Sequence, residues 1–316
     1  MTMPVTEKPV YGLDNLPVSL RGCVLSIGNF DGVHLGHRRI LEAARALAAP
    51  IGAPVVAMTL EPPSEVIFQG VGALQRLTPP RQKNLLLLEA GADDVVEAHV
   101  DRPFLSMTAE EFVQRILIEK FAPRQVVEGP DFLFGRGRKG NVESLCRAGA
   151  AGGFEVRVAE AATVELDGRQ ERVSSTLIRR LVSEGNVAGA ARCLGRPFAL
   201  YGPVVRGAGA GRTLEYPTVN LAPGEQVLPA DGVYAGRATL GDREYPAAIS
   251  VGTKPTMGGS PRGIEAFLLD ARGDFYGRFL RLDFAQRLRG QERFNSVQAL
   301  KGQIAKDVQR VRELIR

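Results

Sequence analysis

The feature that most restricts the fold of this 316-residue chain is the segment 28–37, which reads Gly-Asn-Phe-Asp-Gly-Val-His-Leu-Gly-His. It follows an apolar run, residues 24–27, that is typical of a buried strand, and it precedes a helical pattern over residues 38–49. A strand, a glycine-rich turn and a helix in this order bring backbone N–H groups and the positive end of the helix to one point. The segment therefore predicts an anion-binding turn.

Two of the three histidines, His34 and His37, lie inside this turn. Imidazole N–H groups can donate hydrogen bonds to phosphate oxygens on which negative charge grows during a reaction. This chemistry suits nucleotide transfer, in which a nucleophile attacks the α-phosphate of a nucleoside triphosphate. The alternative is that the two histidines only cap a helix. A Gly-x-x-x-x-Gly-Lys-Ser/Thr phosphate loop does not occur in the sequence.

The first 185 or so residues alternate strand-like and helical patterns, which predicts a parallel sheet covered by helices on both faces. Ligands of such sheets bind at the carboxyl ends of the strands, where the histidine turn falls. Thr108 and Glu111 form a capping-box pattern at the start of one helix. The predicted strands are residues 24–27, 54–60, 94–98, 125–128 and 154–158, and the predicted helices are residues 38–49, 81–90, 109–120 and 142–151.

The pattern changes after two short predicted helices, residues 175–184 and Val187–Leu194. Short strand-like runs separated by turns then predict a compact antiparallel barrel. These runs are residues 200–205, 233–240, 244–251, 264–269 and 279–284, with a hairpin turn at Gly241-Asp242. A final helix from Ser296 carries an apolar face that we expect to pack on the barrel, made of Val297, Leu300, Ile304, Val308, Val311 and Ile315. We predict two domains, residues 1–186 and 187–316.

The turn motif Gly-x-Phe-Asp-x-x-His-x-Gly-His resembles the signature of the nucleotidyltransferase superfamily. Its form here, Ile-Gly-Asn-Phe-Asp-Gly-Val-His-Leu-Gly-His, resembles that of the bacterial bifunctional riboflavin kinase/FAD synthetases. The resemblance implies that His34 and His37 act in adenylyl transfer. It also implies a set of nucleotide-binding residues in the turn: Gly28, Asn29, Phe30, Asp31 and Gly36.

Two further segments carry this resemblance. The family's Gly-x-Asp/Asn-Phe-x-Phe-Gly motif matches residues 129–135, which implies that Asp131 places substrate or Mg²⁺ and that Phe132 packs nearby. The Ser-Ser-Thr-x-Ile-Arg motif matches residues 174–179. Hydroxyls before a helix are ordinary N-caps, but Ser174, Ser175 and Thr176 can also hold a triphosphate, and Arg179 can neutralise the departing pyrophosphate. Where the family usually has Glu-Pro-His-Pro, residues 61–64 read Glu-Pro-Pro-Ser.

A second site is predicted in the C-terminal half. Thr218 and Asn220 are two residues apart in a strand-like run, so both side chains emerge on one face. Their oxygens suit Mg²⁺ and the phosphates that it bridges. The segment resembles the Pro-Thr-Ala-Asn motif of riboflavin kinases, and the glycine-rich loop before it, with Gly211 and Arg212, can close over phosphates. Glu215 and Ala210 depart from the family's usual glycine and basic residue.

The same resemblance extends to residues 264–270 and 287–289. A primary alcohol must lose its proton while it attacks the γ-phosphate, and Glu265 is the general-base candidate. Arg287 fits the family's tail motif, as part of a flavin lid.

Composition limits the classes of protein, the cellular compartments and the partners that fit this chain. No apolar run approaches the ~18 residues of a membrane helix, no signal peptide is evident, and three widely spaced cysteines fit a reducing compartment. We expect a cytoplasmic protein. The net charge is −2 in residues 1–186 and +7 in residues 187–316. The arginines of the second half are scattered singly, so nucleotide phosphates explain its charge and no nucleic-acid partner is expected. A homo-oligomer is possible.

The leading hypothesis is one protein with two ATP sites. The barrel would phosphorylate riboflavin to FMN, and the first domain would adenylylate FMN to FAD and release pyrophosphate, with Mg²⁺ and ATP in both. A second hypothesis is a nucleotidyltransferase that acts on a different phosphate, against which the Pro-Thr-x-Asn segment argues. A third is a flavin- or RNA-binding module that has lost catalysis. A tRNA synthetase is disfavoured because no Lys-Met-Ser-Lys-Ser loop accompanies the histidine turn.

Overall fold

The structure, a computed structural model, describes residues 10–70, 72, 74–206, 218–253 and 262–315. Backbone contacts divide the chain into two units. The first unit consists of the residues up to Leu74 together with Pro80–Ser174, and the second consists of Gln75–Pro79 and Ser175–Arg316.

The first unit is built on a parallel sheet of five strands in the order β3-β2-β1-β4-β7. Its strands are β1 (Val24–Gly28), β2 (Val55–Glu61), β3 (Asp94–His99), β4 (Gln125–Glu128) and β7 (Glu155–Val158). The central strand β1 pairs with β2 on one side and with β4 on the other. Each predicted strand of this half is present with small shifts at its ends; in β1 to β4 a run of apolar residues is buried by the sheet, whereas β7 at the edge is mostly exposed.

Helices cover both faces of this sheet, as the alternation predicts. On one face, Leu41 and Ala44 of α1 pack with Leu87 of α3 and with Val24 and Val55. The helices are α1 (Leu35–Ala48), α2 (Ser64–Gln69), α3 (Pro80–Glu89), α4 (Arg102–Ser106), α5 (Ala109–Phe112), which continues into a π-helix (Val113–Phe121), and α6 (Val142–Gly152). Short 3₁₀ turns lie at Val18–Leu20, Ala49–Ile51 and Arg136–Arg138.

The helix predicted over residues 109–120 differs in its second half. Its capping box is confirmed, since Thr108 Oγ1 accepts the Glu111 N–H and the Glu111 carboxylate accepts the Thr108 N–H. From Val113 onward the chain adopts the wider π form, which ends at Ala122 with a left-handed φ of 42°. The predicted helix is therefore confirmed, but its π form was not predicted, because apolar spacing does not distinguish the two forms.

Two short hairpins complete the first unit. One consists of β5 (Leu133–Phe134) and β6 (Gly140–Asn141), and the other of β8 (Thr163–Leu166) and β9 (Arg169–Arg172). The second hairpin was not predicted, although its Asp167-Gly168 turn is the Asp-Gly pair that such hairpins favour. Both turn residues have left-handed φ, 50° and 77°.

The second unit contains a closed antiparallel barrel in the order β10-β11-β14-β13-β12-β15. Its strands are β10 (Phe198–Val205), β11 (Thr218–Leu221), β12 (Gly232–Leu240), β13 (Arg243–Gly252), β14 (Gly263–Leu268) and β15 (Phe279–Arg289). Closure requires a close approach at Gly236, where a Cβ would lie 2.0 Å from the Asp283 carbonyl oxygen. The Gly241-Asp242 turn joins β12 to β13, as predicted.

Three helices belong to this unit: α7 (Ser175–Ser183), α8 (Val187–Leu194) and α9 (Val297–Leu314). Ser296 caps α9 by accepting the Ala299 N–H. Val308 and Val311 pack with Ala235 and Phe267 on the barrel. The prediction that Val297 joins this face is wrong, since it is 57% exposed; the packing contacts come from the second half of the helix. In the part of the chain that the structure describes, no helix is long and apolar enough to span a membrane.

The helix α7 lies with the second unit and packs against α8. The first unit ends at Ser174 and the second resumes at Ser175. The sequence instead places the domain boundary between residues 186 and 187, and the boundary at 186/187 stays a prediction. Four apolar side chains of α7 are buried, namely Leu177, Ile178, Leu181 and Val182.

Two fragments of the second unit test what α7 contributes. We expect fragment 175–316 to unfold at a higher temperature than fragment 187–316, because removing α7 exposes the apolar surface of α8 that it covers. Full burial of one aliphatic side chain stabilises by about 1.5–3 kcal/mol. Thermal unfolding followed by circular dichroism measures the difference. Equal melting temperatures would show that α7 is not part of this folding unit.

Candidate active sites

The glycine-rich turn follows the carboxyl end of β1 in a strained conformation. Phe30 and Val33 have left-handed φ angles of 48° and 38°, which are unfavourable for residues with a Cβ and most of all for valine. The Val33 N–H donates to the Phe30 carbonyl at 2.9 Å, and both side chains are buried. Core packing thus holds the turn in a shape that its backbone alone disfavours, as is typical of functional sites.

His34 and His37 form a reciprocal cap at the start of α1. The His37 N–H donates to Nδ1 of His34 at 3.4 Å, and the His34 N–H donates to Nδ1 of His37 at 3.3 Å. Their rings are stacked with centroids 3.6 Å apart. Because each Nδ1 accepts a hydrogen bond, the proton of each neutral ring lies on Nε2, which is thereby a donor. The cap interpretation and the phosphate-donor interpretation are therefore compatible.

A cavity of about 240 Å³ lies beside this cap, within the first unit. Its walls include eight of the predicted site residues: Gly28, Phe30, His34, Gly36, His37, Asp131, Phe132 and Ser174. Asn29 and Asp31 lie in the same turn, Asn29 exposed and Asp31 buried, but they are not part of the described wall. The fold thus brings together side chains that the sequence separates by more than a hundred residues.

Asp131 forms an ion pair with Arg172, a residue of the unpredicted hairpin strand β9 that also lines the cavity. The two side chains are 71% and 48% exposed, so the pair contributes little to stability, about 0–1 kcal/mol. Phe132 stacks on Phe134 with ring centroids 5.5 Å apart. The hairpin therefore brings a guanidinium, an anion-binding group, to the edge of the cavity.

Glu128 is a cavity residue that sequence reasoning missed. It ends β4, is 2% exposed, and accepts the Ile27 N–H on Oε1 at 2.6 Å. Burial raises the pKa of the Glu128 carboxyl well above its usual range, and the hydrogen bond from Ile27 opposes this shift. An acidic residue that ends an apolar strand-like run and precedes a glycine is the sequence signal that could have drawn attention to it.

The remaining residues of the first predicted site, Ser175, Thr176 and Arg179, lie at the start of α7 and belong to the second unit. Arg179 donates from Nε to the Gln75 carbonyl at 2.8 Å, also within the second unit. Their role at the triphosphate stays a prediction.

The second candidate site is a row of polar residues on neighbouring barrel strands. Asn220 on β11 is opposite Glu265 on β14, which is opposite Ser250 on β13. Thr218 is opposite Phe267, two residues along, and therefore shares the face of Asn220 and Glu265. Ile264 and Ala266, which alternate with these residues on β14, are buried. The predicted common face of Thr218 and Asn220 is confirmed.

Other predicted residues of this site lie apart from the row or outside the description. Arg287 is on β15 and donates from Nη2 to the Asp231 carbonyl at 2.7 Å. Gly211 and Arg212, like Ala210 and Glu215, lie outside the described residues. In the described parts of the chain, no group of three or more His, Cys, Asp or Glu side chains could hold a metal ion. The hydroxyl of Thr218 and the amide oxygen of Asn220 are ligands that fit Mg²⁺ together with nucleotide phosphates.

Comparisons with known proteins match each unit to a different activity. A family model described as FAD synthetase matches residues 16–177, and one described as riboflavin kinase matches residues 194–315. The fold and the matches define a class of enzymes in which a nucleotidyltransferase precedes a kinase on one chain. The chain belongs to the family of bifunctional riboflavin kinases/FMN adenylyltransferases.

Curated relatives that bear this name match the chain over nearly its whole length. The Escherichia coli K12 protein named bifunctional riboflavin kinase/FMN adenylyltransferase is 38% identical over 308 residues, covering 97% of each chain. The Pseudomonas fluorescens protein of the same name is 39% identical over 306 residues, 96% of this chain and 97% of its own.

A solved structure described as a macrolide-efflux protein from Streptococcus pneumoniae also matches. It is 28% identical, covers 96% of this chain and 98% of its own, and superposes with a TM-score of 0.85. Its description applies to that protein, whereas the family models and the curated relatives agree on flavin nucleotide synthesis.

Cap-preserving substitutions separate the two roles of the histidines. His34→Asn retains an acceptor for the His37 N–H, and His37→Gln retains one for the His34 N–H, but neither retains the imidazole Nε2–H. We expect both to lower FAD formation by about a hundredfold or more, since losing a donor to developing charge costs about 3 kcal/mol. FMN formation should be unchanged. Chromatography of the flavins measures both activities.

His34→Ala and His37→Ala are the matched comparison. They remove the cap as well, which costs about 1 kcal/mol of stability, so they should melt earlier than the Asn and Gln variants without a larger loss of FAD formation than these show. Wild-type FAD formation in the Asn and Gln variants would mean that the histidines act only as a cap.

Proposed function

We propose that each unit carries one of the two activities of the family. The second unit transfers the γ-phosphate of ATP to riboflavin and gives FMN and ADP. The first unit transfers the adenylyl group of a second ATP to FMN and gives FAD and pyrophosphate. The observation that carries the proposal is the stacked His34–His37 pair, which lines one cavity together with residues at the ends of β1 and β4.

In the adenylyl transfer, a phosphate oxygen of FMN attacks the α-phosphorus of ATP while the bond from that phosphorus to the pyrophosphate oxygen breaks. Negative charge shifts onto the phosphate oxygens, where the Nε2–H donors of His34 and His37 and the N-terminus of α1 stabilise it. The backbone at Gly28 and Gly36 allows the phosphates a close approach. Asp131 and Phe132 are proposed to place the substrates, and the motif resemblance implies that Ser175, Thr176 and Arg179 hold the departing pyrophosphate.

In the kinase reaction, the primary alcohol of riboflavin attacks the γ-phosphorus of ATP. The bond from that phosphorus to the β-phosphate oxygen breaks and ADP leaves, while Glu265 takes the proton of the alcohol. Thr218 and Asn220 would hold Mg²⁺ through their side-chain oxygens. The pairing of Asn220 with Glu265 across β11 and β14 supports this assignment, because it sets base and metal ligands on one face. Mg²⁺ would neutralise the phosphate charge that opposes attack. Gly211, Arg212 and Arg287 are proposed to close this site over its substrates.

We propose a cytoplasmic location and small-molecule partners only: ATP, riboflavin and FMN. The three cysteines form no disulfide, and Cys23 and Cys193 are buried. This fits a reducing compartment. The scattered arginines of the second unit support nucleotide rather than nucleic-acid binding.

Glu265→Gln tests the proposed base. The amide keeps the shape and the hydrogen-bonding capacity of the carboxylate but cannot accept the proton, so we expect kinase turnover to fall by roughly a hundredfold or more. The KM for ATP should change little, and FAD synthesis from supplied FMN should not change. Initial rates of FMN and FAD formation measure these effects.

Glu244→Gln is the matched control, since Glu244 is an exposed carboxylate on the neighbouring strand β13 that pairs with Arg237. It should leave both rates near wild type. Should the Glu265 variant make FMN at the wild-type rate, Glu265 would be only a strand carboxylate and the base would be another group.

A further inference from the structure

The carboxyl group of Glu128 has no part in the mechanism described so far, yet it lies at the centre of the first site. It ends β4, whose neighbours in the sheet are β1 and β7. The residue opposite it on β7 is the apolar Val158, and the Glu128 carbonyl accepts the Ala159 N–H at 2.8 Å. Its backbone is thus fixed on the β7 side, and its side chain lines the cavity that holds the histidine pair.

The two carboxyl oxygens have different surroundings. Oε1 accepts the Ile27 N–H at 2.6 Å. Within the described residues, Oε2 has no hydrogen-bond partner. It is also not one of the fully buried polar atoms that lack a partner, so some of its surface is exposed. Oε2 is therefore the oxygen that is accessible from the cavity.

No cation of the described chain compensates a charge on this carboxyl. Arg172 shares the cavity but pairs with Asp131. Burying an unpaired carboxylate that is only 2% exposed costs free energy of desolvation. The protonated, neutral form of the Glu128 carboxyl is therefore favoured. Since Oε1 already accepts the Ile27 N–H, the proton belongs on Oε2. The other charged or titratable groups on the cavity wall are His34, His37, Asp131, Glu160 and Arg172.

We propose that Glu128 is a nucleotide-binding residue of the adenylyl-transfer site, and that it holds ATP as a neutral carboxylic acid whose Oε2–H donates a hydrogen bond into the cavity. The inference rests on the proposed function of the first unit. A neutral acid can stand in one small cavity with a triphosphate, whereas a carboxylate would lose the donor and repel the phosphates. The ligand is a hydrogen-bond acceptor of ATP, either a ring nitrogen of the base or a phosphate oxygen.

The proposal has a pH signature with a definite sign. Burial raises the pKa of Glu128, so the neutral, binding-competent form extends to higher pH than in an exposed glutamate and is lost as the pH rises through that raised value. The KM for ATP in FAD synthesis should therefore rise on the alkaline side, with kcat less affected. The kinase reaction of the same chain takes place in the other unit and should lack this dependence.

Two substitutions of Glu128 make the test specific. Glu128→Gln keeps an acceptor for the Ile27 N–H and a neutral N–H donor towards the cavity, so its KM for ATP should stay near wild type at neutral pH and lose the alkaline rise. Glu128→Met fills the same space without a donor, so its KM for ATP should lie about tenfold above that of the protonated wild type and should lack the alkaline rise. Glu160→Gln removes an exposed carboxyl of the same cavity and should retain the alkaline rise of the wild type.

Initial rates of FAD formation from FMN and ATP, measured against pH, decide the question, with thermal unfolding and FMN formation as checks on folding. Inhibition by pyrophosphate locates the acceptor: weaker inhibition of the Met variant places it on a phosphate, and unchanged inhibition places it on the nucleoside. A Gln variant with the wild-type alkaline rise, or a Met variant with the wild-type KM, would overturn the proposal. A wild-type protein that makes FMN but no FAD would overturn the proposed function of the first unit, and this inference with it.

Discussion

Parallel pairing of β1 with β2 and β4 is the constraint on which the first site depends. In a parallel sheet every strand ends at the same edge, so the segments that follow β1, β4 and β7 must meet there. That geometry brings the histidine turn, the loop from Glu128 to Phe132 and residues 160–162 to one cavity. The reciprocal cap of His34 and His37 then directs both Nε2 atoms away from the helix backbone. A turn with two left-handed non-glycine residues is tolerated because Phe30 and Val33 are buried in the core beneath it.

Much of this arrangement follows from the sequence because it depends on local patterns. Apolar runs mark the five parallel strands, and Thr108, Ser296 and the Gly241-Asp242 turn mark the ends of elements through hydrogen bonds within a few residues. The shared face of Thr218 and Asn220 follows from the period of two in a strand. The fold class and both activities could be predicted in this way, with the motif resemblance supplying the identity of the substrates.

What the sequence did not predict depends on contacts between distant segments. Glu128 ends an apolar strand, and only the strand neighbours show that its carboxyl is buried and bonded to Ile27, a hundred and one residues away. The exposed β8–β9 hairpin has little apolar content, so its Asp167-Gly168 turn was the only signal, and the position of Arg172 at the cavity followed from it. Val297 matches the apolar period of α9, but the helix meets the barrel only further along.

The central claim is that two separate chemical steps, γ-phosphate transfer and adenylyl transfer, take place on one chain. It is tested most directly by counting nucleotide products while the purified protein acts on riboflavin with ATP and Mg²⁺. Our account predicts that FMN appears before FAD, that each FAD formed is accompanied by one ADP and one pyrophosphate, and that supplied FMN yields FAD with pyrophosphate alone. FAD formed from riboflavin without ADP, or pyrophosphate released from ATP and FMN without FAD, would contradict it.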